Sequence, residues 1–293
     1  MSLQATASGS TGGFASCGSW PLSVCSWSLR TDPFCVAQAL SSLDIGQVNL
    51  ALKPALLETG AAYMDAVRRQ PWSVSAMTIG FFHEDYTSLA SIRATGGIVP
   101  DEHWDRNRDM VLRALEITAD FGVPFLTFHA GFIEEHDPAR AARFRDRLAA
   151  LADAAAGRGV TLLMETGQES AACLRTLLED LGHPALGVNF DPANMILYGK
   201  GDPVGAVHLL GRWIRHVHIK DARAAEMPGT WGTEVPWGEG EVGGEAFLNA
   251  LKEAGYSGAL AIERESGDDR LRDIRLAAER LQSYTPQTRG HTR

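Results

Sequence analysis

The feature that most constrains this chain is a strict alternation: a short apolar or alternating run, then a longer stretch with helical spacing, repeated eight times. Candidate strands fall at 22–27, 45–51, 74–82, 124–129, 160–165, 186–191, 215–221 and 259–263. Helical patterns follow them at 32–43, 54–69, 101–121, 138–157, 170–181, 203–210, 245–254 and 268–284. A strand that reaches the next strand through a helix pairs with it in parallel. Eight such units in about 250 residues match a closed (β/α)8 TIM barrel better than an open doubly wound sheet. The absence of a Gly-rich dinucleotide fingerprint after the early strands weakens the open-sheet alternative further. The pattern predicts one barrel domain over 21–284, a loose Gly/Ser/Ala/Thr-rich arm at 1–20 and a frayed polar tail at 285–293.

Composition narrows the function classes. With 45% hydrophobic residues there is ample material for a core, and no run is long and apolar enough to span a bilayer. A formal charge of −9 argues against a general binder of nucleic-acid backbone, so the expected partner is a small molecule, with neither nucleic acid nor membrane. Cys17, Cys25, Cys35 and Cys173 show no CxxC spacing, and the chain lacks the basic start of a secretory signal, which together predict reduced thiols and a cytoplasmic protein.

In a TIM barrel the site lies at the carboxyl ends of the strands, so what each strand carries there on its inward face decides the chemistry. Along 215–221, His216, His218 and Lys220 share one face while Val217 and Ile219 share the other. Elsewhere Thr127 and His129, Glu165, Asn189 and Asp191, and Glu263 and Glu265 oppose apolar neighbours in the same way. Three carboxylates desolvated at one mouth demand a compensating charge. A divalent cation held by Glu165, Asp191, His218 and Glu263 supplies it, with an O3N donor set suited to Mn²⁺ first, then Mg²⁺, with Zn²⁺ or Co²⁺ also possible. The competing reading is a salt-bridge cluster using Lys220, Arg223 or Arg264.

The segments METGQ, GVNFDPAN, HVHIKD, GEGEV and ALAIERE, in this order near strand ends, resemble the sugar phosphate isomerase/epimerase family with the xylose isomerase-like barrel. The resemblance runs from about Leu22 to Leu281. It implies that Glu165, Asp191, His218 and Glu263 ligate one metal, and that Glu165 and Glu263 exchange the substrate proton as base and acid. Such chemistry passes through an enediolate, whose negative charge a metal stabilises. Return of the proton to the opposite face gives an epimer, and delivery to the adjacent carbon gives an aldose–ketose isomer.

Around this centre His129 and Asn194 are expected as substrate-hydroxyl partners, Lys220 as a cation near substrate oxygens, and His83 as a group reaching in from the third strand. Asn194 stands where the tagatose-epimerase branch has a histidine, which separates this chain from that branch's substrate. The polar, Gly-rich stretch 226–241 is expected as a loop over the pocket with Trp237 as a wall against the sugar. His216 is expected deeper, as a hydrogen-bonded support, and Glu265 as an outer carboxylate. The leading expectation is therefore an isomerase or epimerase of a small keto-sugar, polyol or sugar derivative. An inosose-type dehydratase using the same centre is the alternative. An apurinic-site endonuclease fits less well, since Asn194 and Ala222-Arg223-Ala224 offer none of the further histidines a multi-metal site requires. The resemblance also carries the expectation of a homodimer.

Overall fold

A computed structural model describes residues 13–30, 32–133 and 137–285. The expected arm at 1–12 and the tail from 286 onward lie outside the described residues. Eight parallel strands close into a barrel: β1 (Trp20–Cys25), β2 (Gln47–Ala51), β3 (Ser73–Ile79), β4 (Phe125–Phe128), β5 (Thr161–Glu165), β6 (Leu186–Phe190), β7 (Ile214–Ile219) and β8 (Leu260–Ile262). Closure is made where β8 meets β1, with Leu260 opposite Leu22 and Ile262 opposite Val24, and where β1 meets β2, with Val24 opposite Val48.

The helices return the chain around the outside: α1 (Pro33–Ser42), α2 (Gly60–Arg68), α3 (Leu89–Thr95), α4 (Trp104–Asp120), α5 (Pro138–Ala156), α6 (Ala171–Leu181), α7 (Pro192–Leu197), α8 (Pro203–Leu210), α9 (Gly244–Glu253) and α10 (Arg270–Gln282). One device starts four of them. At Asp32-Pro33, Asp137-Pro138, Asp191-Pro192 and Asp202-Pro203 the aspartate side chain accepts backbone N–H bonds of the first turn while proline fills the position whose N–H has no partner. Outward residues such as Val217, Ile219, Leu162 and Met164 pack against these helices in the main core. Inside, the barrel is polar toward the site: Ser23, Asn49, Thr127, Asn189, His216 and His218 are all buried.

Several expected boundaries move. Ser16–Cys17 pairs antiparallel with Trp20–Pro21 and Cys17 is fully buried, so the last residues of the expected arm belong to the barrel. The helix expected at 54–69 is two pieces, a 3-10 turn Lys53–Leu56 and α2. The close approach of the two pieces requires Gly60, where any Cβ would sit 2.0 Å from the Ala55 carbonyl oxygen. The long connection through Gly96-Gly97 holds α3, begun by a Ser88/Ser91 capping box and too short to show apolar periodicity. Within the expected 226–241 loop, Thr233–Val235 pairs antiparallel with Asp221–Arg223. Among the described residues no helix is long and apolar enough to cross a membrane.

Candidate metal centre

Four side chains from four strands meet at the carboxyl end of the barrel. Glu165 is the last residue of β5, Asp191 follows β6 as the cap of α7, His218 lies inward on β7, and Glu263 follows β8 with its N–H bonded to the Ile219 carbonyl. One donor atom from each lies within 4.8 Å of all the others. His218 Nδ1 is 3.0 Å from Glu263 Oε2, 3.4 Å from Glu165 Oε1 and 3.8 Å from Asp191 Oδ2. All four residues are buried.

Each is held by its far side. Glu263 Oε1 accepts from the Trp27 indole N–H at 2.6 Å, which turns Oε2 to the common point. Asp191 Oδ1 accepts the Asn194 N–H at 2.9 Å, so its capping duty leaves Oδ2 free. Thr166 clamps the Asp191 backbone from both sides, accepting its N–H and donating to its carbonyl, each at 2.8 Å. Asn189 Nδ2 and Asn194 Nδ2 donate to the two Glu165 oxygens at 3.2 and 3.1 Å. Beneath them His216 Nδ1 bonds Asn189 Oδ1 and its Nε2 bonds Ser75, an arrangement in which burial pushes the His216 pKa down to about 3 and keeps the ring neutral.

What remains fits a divalent cation. His218 Nδ1, Asp191 Oδ2 and Glu263 Oε2 are buried polar atoms without hydrogen-bond partners, and they face one another. Buried orphans of this kind are rare and costly. Three oxygens and one imidazole nitrogen converging in this way form a hard-to-borderline donor set for a divalent ion. The protein's own cations offset part of the charge. Burial alone would raise the Glu165 pKa, but His129, His218 and Lys220 outweigh it and hold the carboxyl below its usual range. Burial would lower Lys220, yet Glu263, Glu265 and Asp191 carry it well above the ordinary lysine value.

The structure sorts the other expected residues. Lys220 is brought in: its Nζ lies 2.7 Å from Glu265, 3.4 Å from Glu263 and 3.8 Å from Asp191. His129 also arrives, with Nε2 3.5 Å from Glu165 and Nδ1 unpartnered. Asn194 reaches the centre as a donor to Glu165. His83 follows β3, which ends at Ile79, and its ring lies against His103 at 3.8 Å between centroids and faces Asn107 of α4. Trp237 does not line the pocket: it is buried with its ring against Phe247 of α9, so the expected wall is part of the core. The reason is Asp221, whose carboxylate gathers the N–H groups of Ala222, Gly238, Gly240 and Val242 and draws the loop down. A Cβ on Gly240 would stand 2.2 Å from that carboxylate, which accounts for the glycine in GEGEV. Sequence reasoning missed Asn49, Trp27 and the tethering role of Asp221. Their only signal was position, an inward asparagine on β2 and an aspartate just past β7.

Fold and centre together define a (β/α)8 barrel with a buried carboxylate–imidazole cluster at its carboxyl end. The chain belongs to the xylose isomerase-like TIM barrel family, whose sequence model matches residues 73–284. No curated protein matches the chain at a significant level. Among solved structures, a xylose isomerase domain protein from Planctomyces limnophilus is 32% identical, with 90% of this chain and 95% of that one covered and a TM-score of 0.79. A probable 3-DHS dehydratase from Bacillus anthracis is 16% identical, with 90% and 100% covered and a TM-score of 0.69. An L-ribulose 3-epimerase is 18% identical, with 89% and 95% covered and a TM-score of 0.64. The last two likenesses are of fold.

Proposed function

We propose that this protein is a divalent-metal-dependent isomerase or epimerase of a small keto-sugar, polyol or sugar derivative, working through an enediolate. The reading rests on one observation: Glu165 and Glu263 present oxygens to the same buried point as His218 Nδ1 and Asp191 Oδ2. A cation held there by Glu165, Asp191, His218 and Glu263, Mn²⁺ in the first place, supplies Lewis-acid stabilisation of the negative charge that develops on the substrate oxygens. Glu165, kept ionised by His129, His218 and Lys220, is suited to remove the proton beside the carbonyl. Glu263, fixed by Trp27 from just past the neighbouring strand β1, serves as the acid that returns it. Lys220, buried and within 3.4 Å of Glu263, offers an ammonium donor to a substrate oxygen.

A second reading, elimination of water from the same enediolate, draws support from that ammonium beside the acid–base pair and from the fold shared with a probable dehydratase. One experiment addresses both. Incubation of the Mn²⁺-loaded protein with 2-ketohexoses and with an inosose in D2O, followed by mass spectrometry, is expected to give a product carrying one solvent deuterium at unchanged carbon skeleton. Loss of water from the product instead moves the assignment to a dehydratase. Turnover that survives both Glu165→Gln and Glu263→Gln overturns the acid–base assignment.

A further inference from the structure

The inner wall of the metal centre carries one further donor, which the chemistry above does not use. Cys25 is the last residue of β1, on the same inward face as Ser23, and it is fully buried. Where β1 pairs with β2 it stands opposite Asn49. Its Sγ lies 3.7 Å from Asn49 Oδ1, the oxygen that the His218 ring also bonds. One donor atom each of Cys25, His218 and Glu263 lies within 4.8 Å of the other two. Cys25 is a free cysteine, and burial pushes its thiol up to about 12, so without an ion it adds no charge to the cluster.

A sulfur at this place divides the centre by softness. Glu165, Asp191, His218 and Glu263 offer three oxygens and a nitrogen, a set suited to Mn²⁺ or Mg²⁺. Cys25, His218 and Glu263 offer sulfur, nitrogen and oxygen, which with water in a fourth position is a tetrahedral set for Zn²⁺. His218 Nδ1 and Glu263 Oε2 are buried without hydrogen-bond partners. Because His218 and Glu263 belong to both sets, the two ions exclude each other.

We propose that Cys25, His218 and Glu263 form a second, thiolate-containing cation position that takes Zn²⁺ in place of Mn²⁺. An ion drawn to the sulfur leaves Glu165 and Asp191; the S–H bond breaks, an S–Zn bond forms and the proton passes to solvent. The proposal rests on the reading of the four-residue centre as a metal site. X-ray absorption at the zinc edge of the Zn²⁺-loaded protein tests it, and one sulfur at about 2.3 Å is expected, lost in Cys25→Ser. The manganese edge of the Mn²⁺-loaded protein is expected to show oxygen and nitrogen alone. Zn²⁺ is also expected to displace Mn²⁺, read from the electron paramagnetic resonance of the released ion. Cys25→Ser keeps a donor toward Asn49 and Cys25→Ala removes it, so a change common to both belongs to the sulfur. Both variants are expected to lower the preference for Zn²⁺ over Mn²⁺ at least about ten-fold, no less than the loss of a mere support behind a ligand costs. A wild-type zinc spectrum of oxygen and nitrogen alone, or a sulfur that persists in Cys25→Ser, overturns the second position and leaves the four-residue centre standing. If wild-type protein holds neither ion, the reading of the centre falls and takes this position with it.

Discussion

His218 Nε2 bonds Asn49 Oδ1 across 3.0 Å, joining β7 to β2 over 169 positions of chain. Nε2 also lies 3.1 Å from Asn189 Nδ2, which donates to Glu165; with the Asn49 oxygen able only to accept, the network is satisfied with the proton on Nε2 and Nδ1 turned to the three carboxylates, an assignment made from the hydrogen-bond network. Asn49 is itself fixed, its Nδ2 donating to the Ala76 carbonyl at 2.8 Å. Asn49→Ala is therefore expected to weaken Mn²⁺ binding about 10- to 100-fold, the usual effect of losing a support behind a metal-ligating imidazole. Isothermal titration with Mn²⁺ checks it, and circular dichroism confirms that the barrel is retained.

Lys220 competes with a cation for the same anions, since its Nζ is within 4 Å of both Glu263 and Asp191. Lys220→Met is expected to bind Mn²⁺ more tightly than wild type, while the metal-free form loses on the order of 3 kcal/mol because buried carboxylates lose their partner. Metal titration and urea unfolding with EDTA read the two opposite changes. Weaker Mn²⁺ binding in this variant would show that Lys220 supports the ion and does not oppose it.

Much of this was legible in the chain, and the divisions are instructive. Glu165, Asp191, His218 and Glu263 could be read because a parallel strand alternates faces and a barrel gathers strand ends, so face and position sufficed. Asp191 has two duties, since with Pro192 it also starts α7. Trp237 could not be placed from the sequence because it follows its strand by a loop, where the direction of a side chain depends on tertiary partners such as Asp221, which draws the loop down. Asn49 could not be singled out, since nothing local distinguishes an asparagine behind a histidine from any other inward polar residue.

The Asp221 carboxylate organises the stretch from Ala222 to Val242 through four backbone N–H bonds. Asp221→Ala leaves those four N–H groups unsatisfied, and a cost of about 4 kcal/mol in unfolding free energy is expected, each orphaned group counting for roughly 1 kcal/mol. Limited proteolysis is expected to cut first within 224–241 in the variant. Unchanged urea midpoint and cleavage pattern would remove Asp221 from this role.

Glu169 gives the fold a pH signature. With a pKa of about 8 in the folded chain and 4.5 as the ordinary value, the folded state binds more proton between the two. The stability contributed by the neutral carboxyl is complete below about pH 4.5 and is lost as pH rises through about 8. The loss amounts to a few kcal/mol, at roughly 1.4 kcal/mol per pH unit. Urea unfolding from about pH 5 to about pH 9 is expected to show this decline in wild type and a flatter profile in Glu169→Gln. Parallel profiles would place the carboxyl in contact with water.

The central claim is that Glu165, Asp191, His218 and Glu263 hold one divalent cation. Anomalous diffraction at the manganese edge, from crystals grown with Mn²⁺, tests it most directly. The expected result is a single peak bounded by His218 Nδ1 and one oxygen of each carboxylate, absent in Asp191→Ala. A map with no peak among those four atoms, or with manganese bound only elsewhere, would contradict it.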